Sequence, residues 1–188
     1  MKTFNDYIGG KRGPIRPKKP AVREWIVGSN KQNGTADWMT DGSYFIKNEI
    51  ARTRYPALAY IPEGVGRIYL DGSNPIGAPR PNIKTIIPEG LNEEIFTGLT
   101  VDLLVNPSLI LTDEHNTFYV YLPKTIMQEI AHFLGKDNKY SEGVRVRTKR
   151  PEKPNDYSLV VFQLEGEAFA GVMPMQLKNE PLNYLKTN

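Results

Sequence analysis

Residues 109–135 read LILTDEHNTFYVYLPKTIMQEIAHFLG, and the change of pattern inside this stretch decides the fold class. Leu109 to Thr112 and Thr117 to Leu122 are short apolar and aromatic runs flanking the polar tetrad Asp113-Glu114-His115-Asn116. That is the pattern of a β-hairpin with a four-residue turn. Immediately afterwards the apolar period lengthens. Ile126, Ile130, Phe133 and Leu134 fall on one helical face, Thr125 and Gln128 have the spacing of a capping box, and Gly135 supplies a C-terminal stop. The expected element is a helix over 124–134, which needs a sheet to bury its apolar stripe.

Further along the chain, Tyr157 to Leu164 and Ala168 to Met175 flank Glu165-Gly166-Glu167 and read as a second hairpin. Upstream, Asn92 is expected to cap a short turn through Phe96, and Leu99 to Val105 to form a buried strand, a continuous helix over 92–104 being the alternative. Segments 43–50, 57–61 and 66–70 are rich in Tyr, Phe, Ile and Val and are bounded by Asp-Gly, Pro-Glu-Gly and Asp-Gly-Ser, the signature of an antiparallel meander. Glu24 to Val27 reads as a short strand, Ser29 to Thr35 as a turn-rich loop, and 72–82, with three prolines, as a long surface loop. The chain has 15 Pro and 16 Gly, so tight turns abound, and the alternating helices of a parallel architecture are missing. The expected fold is α+β: β-rich, mostly antiparallel sheet with one principal helix (124–134) packed on it. There is no internal repeat and no heptad series.

Gly9 to Pro20, GGKRGPIRPKKP, contains three Gly and three Pro and has no apolar period. Residues 1–22 are therefore read as an extended basic arm, and 23–188 as a single globular domain. Ile, Leu, Val and Phe make up about a quarter of the 188 residues, enough for a core without staples. The absence of cysteine excludes disulfide scaffolds, thiol enzymes and cysteine-ligated metals. No apolar run is long enough to span a bilayer and no signal-peptide core follows Met1, so the expectation is a cytoplasmic protein with no membrane partner.

The net charge of +3 conceals an asymmetry. Residues 1–25 carry seven cations and two anions, residues 139–154 carry six and two, and the rest of the chain has a balance of −6. Two basic segments on an acidic body point to an attachment surface. In Gly143-Val-Arg-Val-Arg-Thr-Lys149, period-two alternation puts Arg145, Arg147 and Lys149 on one face of a strand and Val144, Val146 and Thr148 on the other. An exposed cationic strand can follow a nucleic acid backbone, and the same charges can protect an edge strand from aggregation. Arg52 and Arg54, followed by Tyr55, form a second pair that would extend the basic surface if the two strands were neighbours, with Tyr55 or Tyr140 as a stacking platform.

Catalytic patterns are weak by comparison. Glu129 and His132 have the E-x-x-H spacing of helix-bundle metal sites, which require it twice, and it occurs once. His115 shares a turn with Asp113 and Glu114, but adjacent turn residues diverge instead of converging on one reacting atom. No phosphate-binding loop, no G-x-S-x-G and no H-E-x-x-H is present. The reading is a non-enzymatic, backbone-directed, single-stranded nucleic-acid-binding protein without metal or cofactor. Its contacts are Lys11, Arg12, Arg16, Lys18 and Lys19 of the arm and Arg145, Arg147, Lys149 and Arg150 of the strand. The alternative is a homo-oligomeric structural or assembly protein, of viral type, whose arm docks on a neighbouring subunit. A third is a small inhibitor that works by sequestration.

Overall fold

Antiparallel pairing of short, half-apolar segments builds most of the molecule. The computed structural model describes residues 23–91, 97–101, 108–112, 119–135, 143–149 and 158–174. The arm expected over 1–22, the turns expected at 92–96 and 113–116, and Tyr140 and Arg150 lie outside the described residues. In chain order the strands are β1 (Trp25–Gly28), β2 (Trp38–Thr40), β3 (Tyr44–Lys47), β4 (Val65–Ile68), β5 (Ile76–Gly77), β6 (Thr97–Val101), β7 (Ser108–Thr112), β8 (Tyr119–Pro123), β9 (Arg145–Arg147), β10 (Val160–Leu164) and β11 (Glu167–Val172). Eight of them form one antiparallel sheet in the order β5-β4-β1-β2-β3-β11-β10-β9, and β6-β7-β8 form a second. The mostly antiparallel α+β expectation is the observed architecture.

Period-two alternation gives the large sheet two apolar faces. Met39, Tyr44, Ile46, Val146, Phe162 and Ala170 face the main core, whereas Trp38, Phe45 and Val161 face a smaller one. The main core is closed by a helix over Lys124–Leu134, which buries Met127, Ile130, Phe133 and Leu134, and by Leu111, Val120 and Leu122 of the second sheet. Trp25 sits edge-on between Tyr44 and Phe133, with ring centroids 5.6 and 5.8 Å away. Such pairs contribute about 0.5–1.5 kcal/mol each beyond the area they bury. Over the smaller face lies Ile83, from a 3-10 turn at Ile83–Ile86, together with Ile87 and Leu91. Gly171 lies opposite Phe45 on this face, and a β-carbon there would stand 2.3 Å from the ring, so only glycine lets the ring lie across the strand.

Several expectations are corrected. Residues 43–50 are not one strand: β3 ends at Lys47 and a helix, α1 (Asn48–Arg54), follows directly, making Lys124–Leu134 the second helix, α2. Asn48 is buried and its amide nitrogen donates to the carbonyls of Ala36 and Leu58, which holds the start of α1 against two other segments. Segment 57–61 is a 3-10 turn over Pro56–Tyr60, with Pro56 in its first helical turn, where its missing N–H costs nothing. Residues 97–101 are strand, which excludes the continuous helix over 92–104. The capping box is not formed, because the N-cap of α2 is Pro123 and Thr125 lies inside the helix, exposed. Gly135 does end α2, with φ 64°, and its N–H bonds the Ala131 carbonyl.

The stretch 72–82 is more than a surface loop. It supplies β5, and at its end Ser29 N–H bonds the Pro81 carbonyl while Ile83 N–H bonds the Ser29 carbonyl. Arg80 within it is 7% exposed, and its guanidinium donates to the carbonyls of Val65, Gly34 and Pro62 at 2.8, 3.0 and 2.6 Å. One side chain thus ties its own segment to two others, around Gly34 and Pro62–Val65.

Candidate nucleic-acid interface

β9 terminates the large sheet, so its position in the fold is that of an edge strand among the described residues. Its alternation is as expected: Val144, Val146 and Thr148 are buried, Arg145 and Lys149 are exposed, and Arg147 is half-buried. The buried set explains the register. Val146 packs into the main core, and the Thr148 hydroxyl donates to the Leu159 carbonyl at 3.0 Å, fixing which face turns outward. Arg145 lies opposite Gln163, and Arg147 opposite Val161, so both arginines share the face that carries Trp38 and Phe45. Same-face neighbours along a strand are about 7 Å apart. That places charges at intervals matching an extended phosphate backbone.

Gln163 in turn lies opposite Ala168, so uncharged residues follow Arg145 on this face across β10 and β11, and Lys47, opposite Trp38 further along, is paired with Glu167. Gln163 is buried, and its Oε1 has no hydrogen-bond donor among the described residues. Of the remaining cations read from the sequence, Lys11, Arg12, Arg16, Lys18, Lys19 and Arg150 lie outside the described residues.

Arg52 and Arg54 do not extend β9. They occupy the last turn of α1, which follows β3, and β11 and β10 intervene between β3 and β9. Arg54 Nε donates to the His132 carbonyl at 3.1 Å, a cation at the C-terminal end of α2, where the helix dipole favours positive charge. Tyr55 is no open platform either, because its ring packs edge-on against Phe133 with centroids 5.7 Å apart.

Glu129 is committed to a network that sequence reading missed. Arg23 Nη2 and the Tyr44 hydroxyl both donate to Glu129 Oε2, each at 2.7 Å, and Arg23 also pairs with Asp41 at 3.2 Å while lying over the Trp25 ring. Burial, with Glu129 nearby, pushes the Tyr44 phenol far above its ordinary value. The four groups come from positions 23, 41, 44 and 129, so no local motif could have announced them.

His132 is pulled below its ordinary pKa by partial burial and by the Arg54 guanidinium, against the opposite pull of Glu129. The unfolded chain therefore takes up this proton at a higher pH than the folded one. Stability is full above the unfolded value of about 6.5 and falls as pH drops through it. A small decrease in Tm between about pH 7.5 and 5.5 is expected, and His132→Gln should remove that increment in a thermal melt series. An unchanged increment would assign the pH dependence to other groups.

Comparison of the chain with protein-family models, with curated proteins and with solved structures gave no match.

Proposed function

We propose that this protein binds single-stranded nucleic acid through its phosphate backbone, with the β9 face as part of the contact surface. The observation that carries the reading is the register of β9: its apolar residues are consumed by the core, and this leaves Arg145 and Lys149 exposed at a sheet edge, with Arg147 between them. Cationic surfaces that follow the backbone bind without sequence preference. The arm cations Lys11, Arg12, Arg16, Lys18 and Lys19, with Arg150, supply further phosphate contacts in this reading. The mode of action is binding, without a chemical step.

The experiment is a triple variant, Arg145→Gln, Arg147→Gln and Lys149→Gln, assayed against unstructured oligonucleotides. Affinity should fall for all sequences alike, and the dependence of affinity on salt should flatten by about 2 units in a log–log plot, since three single-strand phosphate contacts each release about 0.7 counterion. If the charges serve only to protect the edge, oligonucleotide binding will be unaltered and the variant will aggregate instead.

A further inference from the structure

On the sheet face shared with Arg145 lies a cavity of about 500 Å³, bounded by segments far apart in sequence. Its volume is in the range of sites that take small molecules. Its apolar lining is Trp38 with Ile87 and Ala168, which pack against the same small core, and Ala36.

The polar groups around it are unevenly committed. Lys47 Nζ is held by Glu167 at 2.9 Å and lies 3.8 Å from Glu49. Asp37 accepts from the Asn30 N–H at 2.8 Å and from the Thr35 hydroxyl at 2.9 Å. Asn30 Oδ1 accepts from Trp38 Nε1 at 2.9 Å, and this orients the Asn30 amide so that its NH2 retains donors. The two remaining cations at the cavity, Arg52 and Lys84, are exposed, and their side chains make no ion pair or hydrogen bond among the described residues. Arg52 comes from α1 and Lys84 from the 3-10 turn at Ile83–Ile86, so two separate elements each bring one unpaired cation to the same hollow.

We infer that this cavity is a binding site for a phosphate monoester attached to a ring-bearing body, the chemistry of a mononucleotide. The Arg52 guanidinium and the Lys84 ammonium hold the phosphate, the first through paired N–H donors and the second as a point charge. The apolar lining of Ile87 and Ala168 beside Trp38 receives a ring. Asp37, whose partners are both neutral, accepts from a ligand hydroxyl or amine, so the lining suits a ligand that carries donors besides its phosphate. The phosphate can belong to a free nucleotide or to the 5′ end of a strand lying along the β9 face. The inference stands without that strand, since none of its groups is on β9.

The test is titration of the full chain with AMP, adenosine, and an oligonucleotide with and without a 5′-phosphate, for the native protein and an Arg52→Gln, Lys84→Gln variant. AMP should bind at least tenfold more tightly than adenosine, and the variant should lose at least that factor while its thermal melt stays in place. A preference for the 5′-phosphorylated oligonucleotide, lost in the variant, would identify a strand end as the source; AMP binding without it would identify a free nucleotide. Equal affinity for AMP and adenosine, absence of AMP binding at millimolar concentration, or a variant that binds AMP like the native protein would each overturn the inference. Loss of oligonucleotide affinity in the β9 triple variant with AMP affinity intact would separate the two sites.

Discussion

Arg80→Met should destabilise the protein by about 3–5 kcal/mol, the largest loss expected from any charged residue described. The guanidinium is buried, and it satisfies the carbonyls of Val65, Gly34 and Pro62 together, while the Arg80 N–H bonds Asn33 Oδ1. Methionine fills a similar volume but donates nothing, so three acceptors in a largely water-poor site lose a charged donor at once. Each would cost about 1–3 kcal/mol if wholly unsatisfied, and the total is smaller than the sum because water reaches some of them. Arg80→Lys should recover only part, since an ammonium cannot span three carbonyls in a fixed fork. Urea unfolding measures this directly. A loss below about 1 kcal/mol would mean that the clamped segments hold their places without the guanidinium.

Ile130→Ala is the second large effect, about 2–5 kcal/mol, because the side chain is fully buried where α2 meets the main core. Its control is Thr125→Ala on the same helix. Thr125 is exposed and is not the cap, so its change should stay within about 0.5 kcal/mol. A comparable loss at both positions would contradict the packing of α2 and return Thr125 to a capping role.

The contrast between those two residues also marks how far sequence reading reached. Periodicity located α2 over all eleven of its residues and paired β7 with β8 and β10 with β11, because each run was long enough to display its period. It failed where elements are short and change type without a break. Tyr44 to Ile46 are apolar and aromatic enough to read as strand, but α1 starts directly after Lys47, and its buried pair Ile50-Ala51 is too brief to show a helical stripe. Pro56 was an available signal for the turn that follows, and a single turn between Pro56 and Pro62 shows no period to support it. β2 escaped because Trp38, Met39 and Thr40 are all buried, so the strand has no polar alternation.

Site residues divide in the same way. The β9 face was legible because one strand carries its whole pattern, Val144 through Lys149. The Arg23, Asp41, Tyr44 and Glu129 network, the Arg80 clamp and the cavity near Arg52 and Lys84 were not legible, since each is assembled from segments tens of residues apart. Long-range assembly also explains why Arg52 and Arg54 misled: read as a strand pair they matched β9, but as the last turn of α1 they serve different neighbours.

The central claim is that cations on this fold engage a nucleic acid backbone, and the salt dependence of oligonucleotide affinity tests it most directly. Fluorescence anisotropy of a labelled oligo-dT should give affinity falling linearly with salt on logarithmic axes, with a slope of about −2 or steeper, since the β9 cations alone would release roughly 0.7 counterion per phosphate contact. No measurable binding at low salt, or binding with a slope near zero, would contradict the account and leave β9 as a charged, protected sheet edge.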